Sequence, residues 1–233
     1  MPTSPLAILG LGFVLGLRHA LDVDHLAAVS TIVSQRRSLL RSSLVGALWG
    51  LGHTVSLVAV AVAVIGLHTE IPPSVGHVLE LGVAIMLVVL GVNLLRSVAA
   101  GQVHLHAHTH GRRTHVHPHL HAHERSDHEH APSRRRPFLV GMVHGLAGSA
   151  GLMLAVVATI PSPVLALAYV VVFGIGSVGG MTAMSALLGI PALLTTERFA
   201  GAERLLGIGA AVASVVIGLQ LAWQIGMEAG LLA

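Results

Sequence analysis

The chain contains no cysteine and no lysine, and among its 233 residues there are only two Trp, one Tyr and four Phe. Without cysteine there can be no disulfide framework, no thiolate metal site and no cysteine nucleophile. Without lysine the phosphate-binding pattern G-x-x-x-x-G-K-[ST] cannot occur, so any energy for work comes from a gradient or a separate subunit. So few Trp and Tyr leave little of the aromatic belt that usually marks a membrane boundary. Charge is scarce too. Asp, Glu and Arg together make up 10% of the residues against 54% hydrophobic ones, and the mean hydropathy is +0.81. That composition belongs to an integral membrane protein and not to a soluble domain. The isoelectric point near 11 does not indicate nucleic acid, because the arginines fall in short loops where they set topology. No cleavable signal peptide is expected, since Met1 to Pro5 lacks a basic start.

Six apolar stretches are long enough to cross a bilayer, at about 5–33, 42–67, 75–98, 137–160, 163–192 and 204–230. Backbone polar groups in lipid must bond internally, so only helices or closed barrels can span it, and these runs are too long for barrel strands. The expected fold is therefore all-α, a polytopic membrane protein with six transmembrane helices. Twelve of the thirteen arginines, all except Arg18, lie in the segments after the first, third and fifth spans or at the span ends beside them. The positive-inside rule makes those segments cytoplasmic and places both termini outside a bacterial-type inner membrane.

Within the first span lies Arg18-His19-Ala20-Leu21-Asp22-Val23-Asp24-His25. The apolar run before it, Pro5 to Leu17, is too short to cross ~30 Å of hydrocarbon at 1.5 Å per residue. The span has to continue through the charges, which puts them near mid-depth. Ionised groups there cost on the order of 2.5–3.5 kcal/mol each and face a cavity, a partner or an ion. Imidazole and carboxylate together suit a divalent transition metal. On a regular helix His19, Asp22 and His25 share one side, whereas bringing in Asp24 requires unwinding, or a role orienting an imidazole through its second nitrogen. Arg18 is expected to act as counter-charge to an aspartate or to reach water. His53 and His144 are the other histidines inside spans, and Asn93 and Gln220 are paired amides on the third and sixth.

The two halves resemble each other. Phe13–His19 aligns with Phe138–His144, Trp49–His53 with Phe173–Ser177, and Leu90–Leu94 with Ile217–Leu221, at offsets of 125, 124 and 127 residues. Three spans per copy force opposite insertion, so the expected plan is two inverted three-helix repeats with binding where they meet. Residues 1–100 form the first repeat and 137–233 the second. Between them, residues 101–136 hold eleven of the seventeen histidines and are expected to be a disordered cytoplasmic loop able to hold transition metals.

His19-Ala20-Leu21-Asp22-Val23-Asp24-His25, after Arg18, resembles the H-x4-D-H signature of the nickel/cobalt transporter (NiCoT) family, and Leu51-Gly52-His53-Thr54 resembles its second histidine motif. The resemblance implies His19, Asp24, His25 and His53 as metal-site residues, with Asp22 beside them. His144 and Asn93 complete the candidate set. Members of that family typically have eight spans and acidic motifs in later helices, which are absent here. In span number the chain is more similar to related six-helix nickel/cobalt permeases of the urease-accessory type. The implied function is transmembrane transport of a divalent ion, Ni2+ first, with Co2+ and Zn2+ as alternatives. Export in place of import, a membrane metal sensor or chaperone, and a metalloenzyme are the competing readings. The last finds no H-E-x-x-H, and Ala147-Gly148-Ser149-Ala150-Gly151 misses the G-x-S-x-G elbow at its first glycine. No catalytic residue is expected. The expected partners are the metal ion, the bilayer, a second copy of the chain and nickel-enzyme maturation proteins.

Overall fold

The computed structural model describes residues 4–33, 38–67, 72–100, 104–110, 113–119, 135–146, 156–194 and 200–229. Its packed body is helical. Among the described residues four helices are long and apolar enough to cross a membrane, and a bent pair makes a fifth crossing if counted as one span. Thus α3 (Leu39–Leu67) and α4 (Pro73–Ala99) run for 29 and 27 residues, about 40 Å each at helical rise. The other two long helices are α6 (Pro163–Leu194) and α7 (Ala200–Glu228). Of the expected span 137–160, helix α5 (Arg135–Gly145) is described, and residues 147–155 lie outside the described residues.

The first expected span is a broken one. Helix α1 (Pro5–His19) starts at Ser4, whose hydroxyl accepts from the Ala7 amide, with Pro5 at the first position, where its missing N–H costs nothing. It stops at His19. A turn through Ala20, Leu21 and Asp22 follows, and α2 (Val23–Val33) leaves at 54° to α1. The turn is held by the Leu21 amide on the Arg18 carbonyl and the Asp22 amide on the His19 carbonyl. Aspartate competes for backbone amides, and the Asp24 carboxylate accepts from the His25 N–H at 2.9 Å. The acid also lies in the first turn of α2, where the helix dipole favours it.

Helix α6 packs on both α1 and α3, α3 also packs on α5, and α4 pairs with α7, while α2 packs across α7, α4 and α6. Glycines set the closest approaches. A Cβ on Gly16 would strike the Phe173 carbonyl and one on Gly176 the Phe13 carbonyl. Likewise Gly141 meets the Trp49 carbonyl and Gly52 the Phe138 carbonyl, and Gly91 and Gly218 meet the Ala211 and Ala84 carbonyls. Without a side chain the backbones come within direct contact, which favours packing where lipid supplies no hydrophobic drive. Hydroxyls tie the same pairs: Ser177 Oγ donates to the Gly16 carbonyl, Ser56 Oγ to Met142 and Ser214 Oγ to Leu87.

Two apolar cores flank the middle of the bundle. One contains Val33, Val45, Trp49, Leu87 and Met181, the other Leu57, Ala61, Tyr169, Val170 and Phe173. Along α3, His53 falls between them.

Of the histidine-rich segment, expected to be an unstructured loop, residues 104–110 and 113–119 are described, and residues 120–134 lie outside the described residues. Strands β1 (His104–His110) and β2 (Arg113–His119) pair antiparallel, His104 opposite His119 and His110 opposite Arg113. The alternating His-x-His pattern has the two-residue period of a strand.

Candidate metal centre

The break in the first span brings four imidazoles together. His19 ends α1, His25 lies in the first turn of α2, His53 is midway along α3 and His144 is near the end of α5. His25, His53 and His144 are 2%, 0% and 3% exposed, and His19 is half-buried. Their rings pack closely, with centroids 4.2 Å apart for His25 and His144, 4.4 Å for His19 and His25, and 5.1 Å for His19 and His53.

Carboxylates orient two of these rings. Asp22 Oδ2 lies 2.6 Å from His19 Nδ1, and Asp24 Oδ1 lies 3.1 Å from His25 Nδ1. An imidazole that donates from Nδ1 presents its lone pair at Nε2, the arrangement by which carboxylates hold metal-ligating histidines. His19 Nε2 sits 3.2 Å from His53 Nε2. With metal–nitrogen bonds of about 2.0–2.1 Å, two nitrogens on one ion lie roughly 3 Å apart. Among the described residues His25 Nε2, His53 Nδ1 and His144 Nδ1 are buried without a hydrogen-bond partner. The second Asp24 oxygen, Oδ2, is 3.2 Å from His144 Nε2.

Two groups of three could therefore each hold a cation: His19, His25 and His53, and Asp24, His25 and His144. In each, one ligand atom per residue lies within 4.8 Å of the others. Both sets are rich in nitrogen and suit a borderline transition metal better than a hard, oxygen-seeking ion.

The residues singled out from the sequence fall out as follows. His19, Asp24, His25, His53 and His144 meet in one cluster. Asp22 touches it only through His19 Nδ1 and has its side chain 52% exposed, so it orients a ring, the role foreseen for Asp24. Asn93 is not brought into the cluster. It is exposed on α4, outside both groups. Gly91 faces α7, and a residue two positions on is turned about 200° away. Gln220 is exposed as well. Arg18 is exposed, and among the described residues it forms no ion pair with an aspartate. Sequence reasoning passed over two aromatic walls. Phe173 packs on His19 at 5.5 Å, and Trp49 on His144 at 5.7 Å and His25 at 6.4 Å. The signal was available: Trp49 is one helical turn from His53, and Phe173 one turn from its aligned partner Ser177.

Among curated proteins, urease accessory protein UreH of Bacillus sp. (strain TB-90) is 35% identical over 230 residues, 97% of this chain and 95% of that protein. The chain belongs to the UreH family. The likeness to UreH runs through both halves of the chain, well beyond the two histidine motifs. No family model matches the chain, and no solved structure does. UreH-family membership and the long apolar helices together make it a multi-pass membrane protein.

Proposed function

We propose that this chain is a secondary transporter that carries Ni2+ across the inner membrane. The observation that carries the proposal is the meeting of buried His25, His53 and His144 with half-buried His19 and Asp24 in one cluster at the break of a membrane helix. So many imidazoles, with several nitrogens unpartnered, have no structural purpose that a few carbonyl bonds would not serve better. A largely dehydrated cation satisfies them. Nickel is favoured by the resemblance of the two histidine motifs to the NiCoT family and by the relative's name, which sets the chain beside urease, a nickel enzyme.

The halves are proposed to be inverted repeats of three spans. Support comes from reciprocity: Gly16 on Phe173 becomes Gly141 on Trp49 when each residue is exchanged for its aligned partner, and Gly176 on Phe13 becomes Gly52 on Phe138. Rocking of the two units would open the cluster to either face in turn. The histidine-rich segment would lie in the cytoplasm, with both termini outside. Co2+ would compete for the same ligands.

The test is metal flux in proteoliposomes under a defined Ni2+ gradient, for the native chain and for His19→Ala and His25→Ala. Flux should fall at least tenfold in both variants. Equal flux in all three would sink the proposal.

A further inference from the structure

The cluster contains two overlapping sets of ligands, and they meet at one ring. His25 faces Asp24 with Nδ1 at 3.1 Å, and its Nε2 is buried without a partner among the described residues. Both groups share this ring, one with His19 and His53 and the other with Asp24 and His144; with Asp24 facing Nδ1, the Nε2 edge is the one left to His19 and His53. We infer that the ion occupies two successive stations on opposite edges of the His25 ring, a three-histidine station and an Asp24–His25–His144 station. This rests on the metal-transport reading and deepens it.

The stations differ in what they draw on. His19, His25 and His53 all come from the first three helices of the chain. The second station needs His144, which α5 contributes from the second half. An ion stepping round His25 therefore leaves a site internal to one unit for a site that joins both. The step also exchanges one nitrogen ligand for a carboxylate oxygen. While the ion is at the first station Asp24 backs the His25 ring. At the second station Asp24 is itself a ligand, and the imidazole protons of His25 and His144 move to His25 Nε2 and His144 Nδ1, atoms that carry no other bond among the described residues. The rings stay neutral. Two divalent charges on one imidazole inside a membrane repel strongly, so the stations fill one at a time.

The experiment uses full-length protein purified in detergent with Co2+ as probe, read by equilibrium dialysis and by its visible absorption. A variant with alanine at His19, His25, His53 and His144 gives the background from the histidine-rich segment. Native protein should hold one ion above that background. His144→Ala should retain it with an all-nitrogen spectrum, and His53→Ala should retain it with a spectrum showing carboxylate. Each should bind no more than about tenfold more weakly, the low end for losing a supporting group of a metal site. His25→Ala should lose it, and proteoliposome flux should collapse in both His53→Ala and His144→Ala. Loss of the ion in either of these, identical spectra in the two, or native flux in His144→Ala overturns the two-station inference. If the fourfold variant binds as much as native protein, the metal-transport reading itself fails. Gln in place of Ala at His53 and His144 gives the same comparison should an Ala variant not stay monodisperse in detergent.

Discussion

At the scale of single residues, the two aspartates of the motif have separate work. Asp22 holds one ring from an exposed position, whereas Asp24 touches His25 and His144 and lies among the candidate ligands. Asp22→Asn keeps an acceptor for His19 Nδ1 and should weaken Ni2+ binding by about tenfold. Asp24→Asn should weaken it more, by up to about a hundredfold, because it removes the backing of His25 as well as one ligand set. Dialysis against Ni2+ separates the two, and equal effects would contradict the division of roles. The cluster itself was legible in the sequence, since four titratable groups in an oily run leave few explanations. Its geometry was not. A 3.6-residue period points Asp24 away from His19 and His25, and only the turn at Ala20–Asp22 brings it in. The placing of Asn93 away from the cluster was not legible, because polarity says nothing about which way a residue faces on its helix.

At the scale of elements, the packing rests on carbonyls seated against bare Cα atoms. Gly16→Leu and Gly141→Leu should each lower the melting temperature in detergent, the overpacking costing about 1–3 kcal/mol or more, because the Phe173 and Trp49 backbones cannot yield. Gly10 meets nothing within 4 Å. There alanine should stabilise by about 0.5–1 kcal/mol through helix propensity alone. A thermal series reporting the same sign at Gly10→Ala and Gly16→Leu would refute this account. The four long helices were readable from their apolar runs. The interruption of the first was less so, because competition of Asp22 and Asp24 for backbone amides is a local effect that hydropathy windows average away. The hairpin at His104–His119 is less legible, because an alternating His-x-His pattern fits a strand and a low-complexity tract equally well.

At the scale of the whole molecule, topology can be read on an unusually clean background, since the chain has no thiol of its own. Ser4→Cys and Ser74→Cys should react with an impermeant maleimide on intact cells, and Leu40→Cys, 80% exposed, only after permeabilisation. The reverse pattern would invert the orientation proposed from arginine placement. Removing residues 102–133 should leave appreciable Ni2+ flux in proteoliposomes, because the buried cluster lies wholly outside that stretch. Abolished flux with intact binding at the cluster would make the histidine-rich segment part of the conduction path.

The seam between α4 and α7 has one more consequence. Leu87 and Ser214 are 127 residues apart, the offset that relates Gly91 to Gly218 and Ala84 to Ala211, so the contact between them joins aligned positions of the two halves. If the halves are inverted repeats as proposed, the axis relating them runs through this seam and through that of α3 with α6, where Gly50 on Val178 and Gly174 on Thr54 likewise exchange. The two seams together would be the fulcrum of any rocking. A bulky side chain wedged between α4 and α7 would jam the motion while leaving the ion's seat untouched.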